Sequence, residues 1–348
     1  MAKKIRFALV GLGMASRPHV RGLKDLEAAG VLEVAGVFAR DQAKREAFAA
    51  ANGWRAAPSL ESLASDKSIA AVLMLTPPNA RAELVDLFAA NGKAILMEKP
   101  VERTTAAAEK IVARCEAAKV PLGIVFQHRL KPAARAMREL LDSGRLGKIG
   151  LVRLDVPWWR PQSYYDEPGR GTLARDGGGV LISQAIHAMD MMLALTPDVV
   201  DVTALAGTTS LHKMETEDFA GAGLRFADGS IGTIVATTAN FPGVMESCVF
   251  NGENGSATLD ASTLTVQWRD GKTDTAGVTG VGTGGGADPM AFDHGPHRDV
   301  IADFTAAVAE GRNPSIDGRS ALRVHRLIDA ILESSRKGAR VAVAKGDA

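Results

Sequence analysis

No charge of one sign dominates this chain. Its 41 lysines and arginines face 40 aspartates and glutamates, a formal net charge of +1. That balance leaves no electrostatic footprint for nucleic acid, and no basic run is interleaved with aromatics. Apolar residues make up 46% of the sequence, yet no apolar run approaches the ~20 residues needed to span a bilayer. Cysteine is nearly absent: Cys115 and Cys248 lie far apart and fit no metal-ligand spacing, so a reduced, cytoplasmic setting is expected and no metal. Aromatics amount to only 5%, and both tyrosines fall with two of the four tryptophans between positions 158 and 165. Internal repeats are absent too.

What the chain does have is a regular alternation. At 348 residues it is longer than one comfortable domain, so two are expected. MAKKIRFALVGLGMA carries the basic head and short apolar run of a signal peptide. The stronger reading is a first strand, Ile5 to Val10, because the segments that follow complete a βαβ unit that needs it. Apolar runs LEVAGVF, AAVLML, AILME and LGIVF then alternate with amphipathic stretches up to about residue 125. Such alternation predicts a parallel, doubly wound sheet covered by helices on both faces, the Rossmann arrangement of an α/β domain. Past Lys131 the pattern changes to a helix over 132–141, a strand over 149–156 and a helix over about 180–195. Strand-like runs follow, joined by turns such as ADG and NGENG. These predict an α+β domain on a large, mostly antiparallel sheet. The expected division is residues 1–128 and 129–348. Residues 277–287 are too glycine-rich for regular structure and read as a mobile loop. Two helices, over 298–310 and 319–337, and a last strand close the chain.

Three motifs carry chemistry. Gly11-Leu12-Gly13-Met14-Ala15-Ser16 follows the first strand and opens a helix, with serine in the third place of a dinucleotide turn. Glycine permits the tight bend at Gly11 and close backbone approach to a diphosphate at Gly13, which then rests on the amides of the helix start through Met14 and Ala15. At the tip of the second strand, where an NAD enzyme usually carries an acidic residue, stands Arg40, with Asp41 one step later. Arg40 suits the 2′-phosphate of NADP, although Asp41 as a ribose ligand or a helix N-cap leaves NAD open.

The second motif, Glu98-Lys99-Pro100, ends a buried strand where nicotinamide and substrate should meet. A lysine there can hydrogen-bond a reacting hydroxyl and stabilise developing alkoxide charge. The third is GGGVLISQAIHAMD, Gly177 to Asp190. Its glycines allow close backbone approach, and Ser183, His187 and Asp190 share one helix face. His187 is the natural proton carrier, since imidazole titrates near neutral pH. Between them lies PWWRPQSYYDEPGRG, where Trp158, Trp159, Tyr164 and Tyr165 cluster beside Arg160 and Arg170. Aromatic faces pack on sugar C–H surfaces and arginines grip anions; an aromatic anchor with no ligand role is the alternative. His128, Arg129 and His297 read as structural or domain contacts.

TPPN, EKP and GGGxLxxxxxHxxD, in this order and spacing, resemble the Gfo/Idh/MocA dehydrogenases, named for glucose-fructose oxidoreductase, inositol dehydrogenase and rhizopine catabolism. The resemblance covers nearly the whole chain. It implies a Rossmann domain followed by an open-faced sheet domain, with homodimers or homotetramers built through those sheets. By position it implies Lys99 and His187 as the catalytic pair, and Gly11, Gly13, Thr76, Pro77, Asn79 and Glu98 on the cofactor side. With Arg160, Tyr165, Arg170, Ser183 and Gln184 on the substrate side, the expected activity is reversible NAD(P)-dependent oxidation of a secondary alcohol on a sugar, sugar acid, nucleotide sugar or inositol. Two departures stand out. Ser183 replaces an aspartate common four residues before the histidine, and Arg81 stands where a histidine often follows TPPN. An NAD-dependent glycosidase working by transient oxidation, and a non-catalytic nucleotide- and sugar-binding regulator, are the alternatives.

Overall fold

The computed structural model describes residues 4–260, 262–277 and 293–346. In chain order, the first elements are β1 (Ile5–Val10), α1 (Ser16–Ala28), β2 (Leu32–Phe38), α2 (Gln42–Asn52), α3 (Leu60–Ser65), β3 (Ala71–Met74), α4 (Arg81–Ala90), β4 (Ala94–Glu98), α5 (Thr105–Ala117) and β5 (Leu122–Val125). There follow α6 (Pro132–Asp142), β6 (Ile149–Pro157), α7 (Gln162–Tyr165), α8 (Ile186–Leu195), β7 (Val199–Gly207), β8 (Phe219–Phe226) and β9 (Ile231–Thr237). The chain continues through β10 (Ser247–Gly252), β11 (Gly255–Asp260), β12 (Thr263–Trp268), β13 (Thr273–Gly277), α9 (Gly295–Glu310), α10 (Gly318–Lys337) and β14 (Val341–Ala342). Of the glycine-rich stretch 277–287, only Gly277 is described, closing β13; the rest lies outside the described residues.

Two compact units emerge. Residues 1–127 and 294–322 form the first, and residues 128–293 and 323–348 the second. The first unit holds a five-stranded parallel sheet in the order β2-β1-β3-β4-β5. Its central strands are apolar on both faces because helices cover both, so Phe7, Leu9, Leu73, Ile95 and Leu96 are wholly buried. The expected boundary followed chain order, whereas 294–322 packs with the first 127 residues. The cause is close backbone approach: a Cβ at Gly22 of α1 would meet the Cα of Arg298 in α9 at 3.0 Å. Phe304 of α9 lies 6.1 Å from Phe7 of β1, ring to ring. A Cβ at Gly123 of β5 would strike the Phe304 ring at 2.7 Å.

The second unit is built on nine strands ordered β13-β12-β11-β10-β6-β9-β8-β7-β14. Only β6 and β9 pair in parallel; the other pairs are antiparallel, as the run of short turns predicts. The sheet alternates buried and exposed positions along β8 and β9. Its uncovered face leaves Leu205, Ile231 and Val235 exposed. Strands β11 and β13 were not foreseen. GSATLD and TDTAG are small and polar, and β13 is exposed along its length at the sheet edge. The helix expected from residue 180 begins as one π-turn, Leu181–Ala185, before α8. Among the described residues, no helix is long and apolar enough to cross a membrane.

Candidate active site

In the first unit the strand order reverses between β1 and β3, and the carboxyl ends of these strands form the crevice that ligands of such sheets use. Gly11 leaves β1 with φ +96°, and a Cβ there would press on the Leu75 carbonyl at 2.8–2.9 Å. Gly13, Met14 and Ala15 are exposed, and a Cβ at Gly13 would meet nothing within 4 Å. Helix α1 starts with no side-chain cap and no acidic residue in its first turn. Such an open, uncapped helix start is an anion seat. The Thr76 hydroxyl, on the neighbouring β3 turn, is buried without a hydrogen-bond partner among the described residues. An open glycine cradle, a helix start without a side-chain cap and the buried Thr76 hydroxyl fit a dinucleotide.

Pro77 and Asn79 are exposed on that same turn, as is Arg40 at the tip of β2. Asp41 caps α2, accepting from the Lys44 backbone N–H at 3.0 Å. The helix-cap reading of Asp41 therefore holds.

Lys99 is half-buried just past β4, and its peptide bond to Pro100 is cis. Two groups fix this turn. Glu98 Oε2 accepts from the Lys99 backbone N–H at 3.1 Å. Arg81, 1% exposed, donates to the Thr76 carbonyl at 2.8 and 3.1 Å and to the Pro100 carbonyl. The histidine-to-arginine departure thus produces a strut joining the Thr76 turn to the Lys99 turn. Burial pulls the Arg81 guanidinium down to about 10 against Glu98 and Glu102, which raise it; it stays charged at neutral pH.

Beneath Lys99 lies a cluster the sequence did not announce. His19 of α1, Glu98 and His297 of α9 bring their ligating atoms within 4.8 Å of one another. His19 Nε2 donates to Glu98 Oε1 at 2.6 Å, and the two imidazoles meet edge to face at 5.0 Å. Burial works to raise the Glu98 pKa, but the hydrogen bond from His19 and the charges of His19, His297 and Lys99 outweigh it and bring the carboxyl to about 2. His297, expected as a domain contact, belongs to this cluster. A separate cleft of about 810 Å³ opens at the amino ends of β3, β4 and β5, lined in part by Lys93, Lys119 and Arg312. It is at the wrong end of the strands for this chemistry.

In the second unit, the glycine run sets the start of the helix that carries His187. Gly177 has φ +84°, and a Cβ at Gly179 would lie 1.8 Å from the Glu217 carbonyl oxygen. Glu217 accepts from the Gly179 and Leu181 backbone N–H groups, both at 3.1 Å. It closes the helix start, a role no local spacing could have shown. Burial raises the Glu217 pKa, and the backbone donors offset only part of that. The π-turn then carries Ser183 and Gln184; such single turns are frequent at functional sites.

His187 is half-buried, its ring stacked on His128 at 5.1 Å. Asp190 is buried in a two-pronged pair with Arg129, at 2.5 and 2.7 Å. The buried Gln184 donates to the Tyr164 hydroxyl at 3.3 Å, and its Oε1 has no hydrogen-bond partner among the described residues. Arg160 and Arg170 lie 5.8 and 4.7 Å from the Tyr164 ring. Tyr165 is buried with its hydroxyl 2.6 Å from Thr238 Oγ1, so it anchors the segment, as Trp158 does in its 7% exposed seat.

Residues 5–126 match an oxidoreductase family with an NAD-binding Rossmann fold, and residues 134–258 match the GFO/IDH/MocA C-terminal domain. The chain belongs to the GFO/IDH/MocA family. It is 27% identical to D-apiose dehydrogenase of Paraburkholderia graminis, over 97% of this chain and 90% of that protein. It is also 27% identical to D-xylose 1-dehydrogenase (NADP(+)) 2 of Haloferax volcanii, over 89% and 91%. The WlbA dehydrogenase of Bordetella pertussis, solved with NADH and UDP-GlcNAcA, superposes with a TM-score of 0.82 at 26% identity, covering 99% of this chain and all of that one. Like other GFO/IDH/MocA members, the chain is an NAD(P)-dependent oxidoreductase of the sugar and polyol dehydrogenase class.

Proposed function

We propose that this GFO/IDH/MocA member reversibly oxidises a secondary alcohol of a sugar that bears an anionic group, a sugar acid or nucleotide sugar, with Lys99 and His187 handling the proton. A bound nicotinamide supplies the hydride acceptor. Lys99 hydrogen-bonds the reacting hydroxyl and stabilises the alkoxide as its C–H hydride leaves; His187 passes the released proton to solvent. With Ser183 in place of an aspartate, no carboxylate four residues back tunes His187, which puts more of the proton's handling on Lys99. The observation that carries the reading is Lys99 itself. It stands on a turn braced by Arg81 and Glu98, in the same unit as the uncapped Gly11–Gly13 cradle.

The substrate class rests on two features of the second unit. Gln184 Oε1 is a buried acceptor suited to a sugar hydroxyl, and beside Tyr164 lie Arg160 and Arg170, the latter paired with Glu167 at 3.1 Å, cations that an anionic substrate could engage in exchange for that carboxylate. NADP is favoured over NAD, because Arg40 is exposed at the β2 tip while the Asp41 carboxylate caps α2. The uncovered sheet face around Leu205, Ile231 and Val235 is of the kind that associates, supporting a homodimer or homotetramer. Cys115 and Cys248 are buried free thiols, compatible with a reducing cytoplasm.

The test is a panel of inositols, neutral sugars, sugar acids and nucleotide sugars, offered with NAD and NADP and followed at 340 nm. Sugar acids or nucleotide sugars should give the highest kcat/KM, with NADP the better partner. Lys99→Met should lower kcat by about 10³-fold or more while substrate still binds. Full turnover in Lys99→Met would end the assignment.

A further inference from the structure

We propose that Glu98, fastened by His19 with His297 beside it, biases the bound nicotinamide toward its oxidised form, an inference that rests on the cofactor reading above. The carboxylate ends β4 one residue before Lys99, and both its oxygens are used. Oε1 takes the hydrogen bond from His19 Nε2 at 2.6 Å, and Oε2 takes the Lys99 backbone N–H at 3.1 Å. The His19 side chain is wholly buried, and its Nδ1 has no hydrogen-bond partner, so Glu98 is its one hydrogen-bonded neighbour among the described residues. Glu98 keeps 13% of its side chain exposed. Its charge is therefore fixed by protein on one side and accessible on the other.

A metal is the rival occupant of two imidazoles and a carboxylate. Ligands sharing one zinc at about 2.0–2.1 Å stand about 3.3 Å apart in a tetrahedron. The 2.6 Å separation of His19 and Glu98 is instead a short charge-assisted hydrogen bond. The cluster is built to hold an anion in place.

A nicotinamide ring is cationic when oxidised and neutral when reduced. A fixed negative charge at the end of the strand that presents Lys99 attracts the first form and leaves the second indifferent. It also offsets the ammonium of Lys99, which on its own would repel the oxidised ring. Helix α1, which opens with the dinucleotide turn, holds that charge through His19. Binding of the diphosphate and the redox preference of the ring thus share one element.

The experiment measures dissociation constants for oxidised and reduced cofactor by calorimetry or fluorescence, in the wild type, Glu98→Gln and His19→Gln, with thermal melts confirming the fold. Glu98→Gln should weaken the oxidised form about tenfold more than the reduced form, as expected for losing one nearby charge at intermediate dielectric. His19→Gln, which keeps a donor beside Glu98 and can carry no positive charge, should not reduce the preference for the oxidised form. Equal weakening of both forms in Glu98→Gln would overturn the inference and leave the cofactor reading intact. Wild-type protein that binds neither form would overturn both. Stoichiometric metal in the purified protein, lost in His19→Gln, would also overturn it, because ligation would neutralise the carboxylate.

Discussion

The two glycine-rich turns of this protein look alike as text and do opposite things. At Gly11–Gly13 the backbone turns and leaves its helix start open, with nothing near the missing Cβ of Gly13. At Gly177–Gly179 the helix start is closed by Glu217, and the missing Cβ of Gly179 is filled by a carbonyl oxygen. On the proposed function the first turn keeps glycine for the cofactor, whereas the second keeps it for packing. An open cradle and a packed one respond differently to the same methyl group.

That contrast can be broken. The largest effect is expected from Gly179→Ala. A Cβ at 1.8 Å from backbone cannot be accommodated by a side-chain shift. Overpacking of this severity should cost about 3 kcal/mol or more, read as a lower urea midpoint with an unchanged slope. Gly13→Ala should leave the urea midpoint within about 0.5 kcal/mol of wild type. Its cofactor affinity should fall at least about tenfold, because the methyl occupies the path of the diphosphate. If Gly13→Ala instead lost stability and kept affinity, the two turns would be the same device.

The smallest effect sharpens the comparison through pH. Glu217 has a folded-state pKa above its ordinary value because burial disfavours its charge, partly offset by the amides of Leu181 and Gly179. The folded protein therefore holds that proton longer than the unfolded chain, and stability declines as pH rises from about 4.5 through the raised pKa. Glu217→Gln should flatten this slope in pH-dependent denaturation. Glu98, held near 2, has the opposite sign: its contribution is present above about 4.5 and is lost as pH falls toward 2. The open turn's unit and the closed turn's unit should thus differ in their acid response.

Local features were legible from the sequence. β1, α2 and β4 fall where apolar runs and caps put them, and the Asp41 cap follows from residue type and context. The candidate residues Lys99 and His187 were also visible, since each sits in a compact motif. Features assembled from distant positions were not. His19, Glu98 and His297 share no spacing, and each separately reads as a bland core or turn residue. Glu217 reaches the glycine run across 38 positions. Arg81 looked like a loss of the family's histidine until its two carbonyl partners, Thr76 and Pro100, were seen to lie on separate turns. Asp190 shares a helix face with His187 by spacing, but its pairing with Arg129, 61 positions away, is set by the cation that a wholly buried carboxylate needs beside it.

The discontinuity of the first unit has a consequence for biosynthesis. Its sheet is translated by residue 127, yet α9, which seats Phe304 against β1 and β5, starts only at Gly295, about 170 residues later. At 5–20 residues per second the nascent nucleotide-binding half waits roughly 10–40 s on the ribosome with a large apolar groove uncovered. During that interval it is a natural client for chaperones, and synthesis halted before residue 294 would leave it without its closing helix.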